Sequence, residues 1–121
     1  MRTNYKFLDP EGIYFVSFAT VGWVDVFTRI EYKGIFVDSL RYCINKKGLI
    51  LHAWCLMTNH VHLIFSSKES GKHSAILRDI KKYTSSKLLL EITTYPKESR
   101  KVWMLNIFAE AGKNNCDISK F

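Results

Sequence analysis

The sequence has no long hydrophobic run. Its longest apolar stretch near the start, residues 13–19 (IYFVSFA), is far shorter than the roughly 20 residues that a helix needs to cross a bilayer. No basic segment with a cleavage site precedes this stretch, as a secretory leader would require. The sequence therefore predicts a cytoplasmic protein with no membrane partner.

Cysteine pairs of the metal-binding or redox type are also missing. The three cysteines, Cys43, Cys55 and Cys116, are odd in number and show no Cys-x-x-Cys spacing. Two of them lie within apolar segments, so we expect small buried hydrophobic residues in a reducing compartment and no disulfide.

Internal repeats, low-complexity tracts and interdomain linkers are absent as well. A chain of 121 residues with 47% hydrophobic and 24% charged residues is typical of one soluble globular core. We therefore predict a single domain over residues 1–121. After Gly112 the chain continues in mostly polar residues, which predicts an incomplete C-terminal end.

Positive charge is concentrated in the second half of the chain. The net charge is +7; residues 1–67 carry seven Lys and Arg against five Asp and Glu, whereas residues 68–121 carry eleven against six. Such an excess suits a polyphosphate backbone, although a solvated helix face would show the same pattern. Six of these basic residues fall in one segment: Lys68, Lys72, Arg78, Lys81, Lys82 and Lys87.

The first elements are a strand and a helix. Residues 13–21 are apolar, aromatic and rich in β-formers, which predicts a largely buried strand. Thr28 and Glu31 have the spacing of a capping box, which would start a helix over residues 29–46.

A hairpin and two helices follow. The β-rich runs 49–56 and 60–66 are separated by a connection short enough for antiparallel pairing. Ser74 can cap a helix over residues 75–93, and Ser99 can cap a third helix that Gly112 ends. The order strand, helix, strand, strand, helix predicts an α+β fold of the ferredoxin-like kind, with helices packed on an antiparallel sheet.

The sharpest local signal is the run NHVHLIF at residues 59–65. A strand sends alternate side chains to the same face, so His60 and His62 should lie together and could share one metal ion. Val61 and Leu63 should pack on the other face, and we expect a strand covered on both sides. Hydrogen-bonded histidines at ordinary sheet positions are the alternative. His52 and His73 are interpreted as incidental.

Tyr83 has two interpretations. Its position in the helix with Ile76 and Ile80 indicates a core aromatic residue. Its basic neighbours, however, are what a phenol that attacks a phosphodiester would need, because cations lower a phenol pKa and hold a phosphate.

Several segments together resemble one family. Residues 57–64 (MTNHVHLI), followed by residues 78–83 (RDIKKY), look like the REP-associated tyrosine transposases of the HUH single-strand nuclease superfamily. Residues 5–7 (YKF), residues 13–20 and residues 98–104 (ESRKVWM) are similar to other parts of that family. The resemblance covers nearly the whole chain.

The resemblance implies a metal-dependent chemistry on single-stranded, hairpin-forming DNA. His60 and His62 would hold Mg²⁺ or Mn²⁺ at a scissile phosphate, and Tyr83 would attack it to give a covalent 5′-phosphotyrosine and a free 3′-hydroxyl. The basic residues near Tyr83 that would bind the DNA are Arg78, Lys81, Lys82 and Lys87.

The chain also departs from the family. Members commonly complete the metal site with an amide side chain about one turn after the tyrosine, where this chain has Lys87, which cannot ligate. Asp79 is then the predicted third ligand. Relatives also continue beyond the point where this chain ends, which predicts a shortened copy. They act as monomers or as homodimers that share active-site parts.

Two other functions stay open. A catalytically inactive relative would bind structured single strands through the basic helix and exposed aromatic residues without cutting them. A ferredoxin-like RNA-binding domain would stack bases on aromatic residues of its sheet.

Overall fold

A three-stranded sheet and three helices make up the described part of the chain. The computed structural model describes residues 6–114 of the chain, with side chains as far as residue 112. The predicted α+β class is confirmed. In chain order the elements are β1 (Tyr14–Ala19), a short 3-10 turn (Val21–Trp23), α1 (Ile30–Lys46), β2 (Leu49–Leu56), β3 (His60–Ser67), α2 (His73–Thr94) and α3 (Lys101–Asn114).

The sheet has the order β1-β3-β2, and both pairings are antiparallel. The predicted hairpin is therefore present, and its second strand, β3, is central. β1 and β2 run parallel on either side of β3 and are joined by α1, as in the first half of a ferredoxin-like arrangement. The fourth strand of that arrangement does not occur between residues 6 and 114.

One face of the sheet carries the hydrophobic core. Val61, Leu63 and Phe65 of β3 are fully buried, as the alternation predicts. They join one cluster with Phe36 of α1 and Ile80 of α2. The helices therefore cover the face to which the odd-numbered residues of β3 point.

The predicted capping box at the start of α1 is wrong, although the helix itself lies where the pattern placed it. Arg29 occupies the cap position, and no side chain caps the helix. The Thr28 hydroxyl instead accepts a hydrogen bond from Arg100 at 3.4 Å, and the Glu31 carboxylate accepts one from the Tyr95 hydroxyl at 3.4 Å. Tertiary partners thus occupy both groups of the predicted box.

The ends of the other helices also differ from prediction. Lys72 caps α2 without a side-chain hydrogen bond, so Ser74 lies inside the first turn. The Arg100 carbonyl accepts the Met104 N–H at 2.8 Å, which starts α3 one residue later than a Ser99 cap would. Gly112 does not end α3, which continues to Asn114.

The cysteines have different environments. Cys43 is buried in the core as predicted, and this burial raises the pKa of its thiol to about 11. Cys55 is exposed, which contradicts the prediction, because its side chain lies on the sheet face without helices. Cys116 lies outside the described residues. None of the helices between residues 6 and 114 combines the length and apolar character needed to cross a membrane.

Candidate functional site

The predicted histidine pair is present on the sheet face opposite the core. The rings of His60 and His62 have centroids 4.8 Å apart and stand nearly perpendicular, at 82°. Both side chains are half-buried. Ala19 and Ser17 of β1 lie opposite them across the sheet.

This face is open to solvent, which corrects the prediction of a strand covered on both sides. Phe15, Ile64 and Cys55 share the face with the histidines, and all three are exposed. The buried side chains of the helices gather on the other side of the sheet. A ligand of the imidazole pair would therefore approach directly from solvent.

Asn59 fixes the ring of His60. The Asn59 side chain lies 3.4 Å from the Trp23 carbonyl, which only accepts hydrogen bonds, so its NH₂ group faces Trp23. The Asn59 Oδ1 atom then faces His60 Nδ1 at 2.9 Å and accepts a hydrogen bond from the Nδ1–H group. The proton of neutral His60 is thereby held on Nδ1, which leaves the lone pair of Nε2 for a metal ion.

His62 has one unused polar atom. Its Nδ1 is buried and has no hydrogen-bond partner among the described residues. One face of its ring stacks on Phe15, with centroids 5.6 Å apart and an interplanar angle of 19°. A buried ring nitrogen without a partner costs free energy, and a bound ion or its water shell could remove that cost. The two imidazoles therefore fit a divalent metal as nitrogen donors.

Asp79, the predicted third ligand, is not brought to this pair. Its carboxylate on α2 lies 3.7 Å from Lys47 at the end of α1 and 3.7 Å from Arg78. Among the described residues, no three His, Cys, Asp or Glu side chains form a metal-binding group. Two imidazoles alone leave several ligand positions, which phosphate oxygens and water commonly fill around Mg²⁺.

Tyr83 also lies away from the histidines within one chain. Its ring stacks on Tyr42 of α1, with centroids 5.3 Å apart and an interplanar angle of 13°. The Lys87 ammonium lies 5.8 Å from the Tyr83 ring centroid. Tyr83 is thus half-buried between two helices that cover the core face, whereas His60 and His62 lie on the open face.

The predicted DNA-binding residues of α2 point in different directions. The Lys81 ammonium lies 5.0 Å from the Phe18 ring, beside β1, whereas Lys87 lies over Tyr83 beside α1. Arg78 and Lys82 are exposed. The basic residues therefore do not form one stripe on this helix.

The two histidines that were interpreted as incidental have structural partners. His52 Nε2 lies 2.9 Å from the Ser66 hydroxyl, at an irregularity in the pairing of β2 with β3. His73 is buried at the start of α2, where its Nε2 lies 2.8 Å from the Gly12 carbonyl oxygen.

A comparison with protein families identifies the group to which the chain belongs. The model of the family described as "Transposase IS200 like" matches residues 24–117, more than three quarters of the chain. The chain is a member of the IS200-like transposase family. No curated protein and no solved structure matches it.

Membership of the IS200-like family makes this a DNA-processing and DNA-binding protein in general terms. The matched segment includes His60, His62, Asp79 and Tyr83. It begins at Val24, and so leaves out β1 and the 3-10 turn that carries Trp23.

Sequence reasoning missed a buried ion-pair cluster in this IS200-like chain. The Glu98 carboxylate has 0% side-chain exposure and lies 3.4 Å from Arg29 Nε and 3.1 Å from Arg100 Nη2. The Tyr32 hydroxyl donates to it at 3.0 Å. No local sequence pattern indicates this cluster, because Arg29 and Tyr32 lie 69 and 66 residues away from Glu98 in the chain.

Proposed function

We propose that the chain is a metal-dependent single-stranded DNA transposase in which His60 and His62 hold Mg²⁺ or Mn²⁺ at the phosphate to be cut. The observation that carries the proposal is the imidazole pair on an open sheet face in a member of the IS200-like family. The two ring centroids are 4.8 Å apart. The likeness to REP-associated HUH nucleases supports the same chemistry.

The chain's own residues would bind and orient the DNA. A bound divalent ion supplies Lewis-acid polarisation of the phosphate. His60 and His62 hold that ion, and Asn59 keeps the metal-binding nitrogen of His60 free of a proton. Lys81, Lys82 and the other basic residues of α2 attract the phosphate backbone. Hairpin-forming DNA would be the substrate.

Tyr83 is the proposed nucleophile. Its phenol loses its proton as the phenol oxygen forms a bond to phosphorus, while the bond from phosphorus to the 3′ oxygen breaks. The 3′ oxygen takes up a proton and leaves as a 3′-hydroxyl. The product is a 5′-phosphotyrosine that can be rejoined to another strand. Because Tyr83 stacks on Tyr42 behind the sheet, we propose that it serves the histidine pair of a second copy in a homodimer.

The test is a covalent adduct between the protein and DNA. Wild-type protein incubated with a fluorescent single-stranded hairpin and Mn²⁺ should give a band that survives denaturant. Tyr83→Phe should remove that band, whereas the matched change Tyr42→Phe, in the ring stacked against it, should keep it. An adduct that persists in Tyr83→Phe would exclude Tyr83 as the nucleophile.

Mixing variants tests the shared site. His60→Ala/His62→Ala and Tyr83→Phe should each be inactive alone. When the two are mixed, the adduct should return, because one copy supplies the tyrosine and the other the imidazoles. The fluorescent DNA should be attached to the His60→Ala/His62→Ala variant, because only this variant retains Tyr83. No adduct in the mixture, with an adduct in wild type, would contradict a site shared between copies.

The alternative is a catalytically inactive module that binds structured single strands. The placement of Tyr83 and Asp79 away from the imidazole pair favours this second function. It predicts tight binding of the hairpin without any covalent band for wild type. Competition with a matched RNA hairpin in the same assay would reveal an RNA-binding protein if the RNA displaced the DNA.

A further inference from the structure

We propose that Phe15 and Trp23 form a base clamp, in which each ring stacks on one nucleobase of a single strand on either side of the histidine pair. This inference deepens the proposed function and rests on it. Through this clamp, the open sheet face would recognise two unpaired bases that flank the bound phosphate.

Both rings are exposed to an unusual degree. Phe15 is 62% exposed and Trp23 is 55% exposed, although large aromatic side chains usually lie in the core. Each ring contacts one of the two histidines. Phe15 stacks on His62 with ring centroids 5.6 Å apart, and the ring centroids of Trp23 and His60 are 6.4 Å apart. Four rings therefore form a row on the open face, with the imidazoles in the middle.

The backbone of Trp23 is held in an unfavourable conformation. Its φ angle of 56° lies in the left-handed region, next to Gly22 at 65°. Glycine adopts this conformation freely, but for a bulky side chain it is an outlier of the kind that recurs at ligand sites. The fold thus keeps Trp23 exposed at a conformational cost.

Hydrogen bonds fasten the Trp23 segment to the residues beside His60. The Trp23 N–H donates to the Thr20 carbonyl at 3.0 Å, and the Thr20 N–H donates to the Asn59 carbonyl at 2.9 Å. The Thr58 hydroxyl donates to Asp25 at 2.8 Å. Trp23 is therefore placed in advance relative to the imidazole pair, which reduces the entropy lost when a ligand binds.

The chemistry of the face suits nucleic acid. The strands β1, β2 and β3 contain no Asp or Glu, so no strand carboxylate repels a phosphate. Every nucleobase has a flat π-face, and stacking on exposed aromatic rings is the usual way to bind single strands without reading their sequence. The clamp should therefore bind unpaired bases with little sequence preference.

The first experiment measures binding by fluorescence anisotropy, with a labelled DNA hairpin that has a single-stranded extension, in EDTA. Trp23→Ala and Phe15→Ala should each weaken binding by roughly 5- to 150-fold, the range for loss of one base stacked on an aromatic ring. Trp54→Ala is the control, because Trp54 is 46% exposed but its neighbour in the pairing, Leu63, faces the core. It should change affinity less than twofold.

A second experiment separates stacking from a change of fold. Trp23→Phe keeps a ring and should retain most of the affinity that Trp23→Ala loses. Oligonucleotides with abasic positions in the extension should bind to the wild type more weakly than intact oligonucleotides do. The loss of affinity should be smaller for Trp23→Ala, because this variant already lacks the ring on which the base would stack. Equal losses for both proteins, or full affinity in Trp23→Ala, would overturn the clamp.

Separate measurements of Mn²⁺ binding and of DNA affinity distinguish a wrong clamp proposal from a wrong metal-site proposal. Mn²⁺ binding, followed by the loss of the free-ion electron paramagnetic resonance signal, should be unchanged in Trp23→Ala. If wild type does not bind Mn²⁺, the proposed metal-dependent function fails, while the anisotropy losses in EDTA still support stacking. If Mn²⁺ binds but neither ring affects DNA affinity, the clamp alone is wrong.

Discussion

The polar side chains around Glu98 and those of the histidine pair differ greatly in how many hydrogen-bond partners they have. Around Glu98, Oε1 accepts hydrogen bonds from Arg29, Arg100 and Tyr32, and Oε2 accepts two more from Arg100. At the histidine pair, His60 has one side-chain partner, Asn59, and His62 keeps a buried ring nitrogen without any among the described residues.

The difference separates a structural cluster from the proposed ligand site. Burial by itself would raise the pKa of Glu98, but hydrogen bonds from Arg100, Arg29 and Tyr32 outweigh it and lower the pKa to about 2. The cluster ties the segment before α3 to the start of α1. The imidazoles, by contrast, form no hydrogen bond or ion pair with a distant segment among the described residues, and they keep nitrogen atoms that a ligand could use.

The largest effect should come from breaking the Glu98 cluster. Glu98→Gln leaves two guanidinium groups without their carboxylate, and should lower the free energy of unfolding by about 3–5 kcal/mol. Urea denaturation followed by circular dichroism would measure this. Asp38→Asn is the control, because the exposed pair of Asp38 with Arg41, at 3.9 Å, should contribute less than about 1 kcal/mol. Equal effects of the two changes would show that the Glu98 cluster is not structural.

The same cluster should make stability depend on acidity. Glu98 binds fewer protons when folded than when unfolded, because its pKa falls from 4.5 to about 2. Its contribution is therefore complete above pH 4.5 and is lost as the pH falls towards 2, by about 3 kcal/mol in total. Subtracting the Glu98→Gln profile from that of wild type isolates this effect. A flat difference between pH 5 and 2 would contradict the lowered pKa.

A smaller effect should come from the residue that orients His60. Asn59→Ala removes the acceptor for His60 Nδ1, and should weaken Mn²⁺ binding by about 10- to 100-fold, as the loss of such a partner usually does. Thr58→Val is the matched control, because it removes the neighbouring bond to Asp25 but touches no imidazole. Nitrogen-15 NMR of His60 should show the Nδ1-protonated form in wild type and a mixture in Asn59→Ala. Unchanged affinity and unchanged protonation would remove Asn59 from the site.

The smallest effect on stability should come from the histidine with the unpartnered nitrogen. His62→Leu, measured in EDTA, should change the free energy of unfolding by less than about 1 kcal/mol, because an unsatisfied polar atom is replaced by an apolar group. The same change should abolish Mn²⁺ binding. A loss comparable with that of Glu98→Gln would mean that His62 is structural and that the two regions do not differ in kind.

Much of the fold was predictable because it follows from local patterns. The alternation in residues 60–66 predicted both the buried face of β3 and the nearness of His60 to His62, since side chains in a strand have a period of two. The bounds of α1 were predicted within a residue. Helix caps were predicted poorly; the Thr28 hydroxyl, for example, accepts a hydrogen bond from Arg100, 72 residues away, instead of capping α1.

The candidate site was predictable only in part. The sequence indicated the two imidazoles, but it could not show that Tyr83 stacks on Tyr42, because that contact joins two different helices. Nor did it single out Trp23, whose proposed stacking role depends on a left-handed backbone and on a contact with Asn59, 36 residues further along. Such contacts depend on how elements pack, and leave no spacing pattern to recognise.

By itself, the sequence determined the α+β class, the strands and helices, and the histidine pair, because hydrophobic periodicity and side-chain alternation act over a few residues. Only the tertiary structure decided which sheet face stays open, which nitrogen of His60 carries the proton, and that Tyr83 and Asp79 lie behind the sheet from the imidazoles. Those features depend on contacts between segments far apart in the chain, and the packing of the core brings these together only in the folded protein.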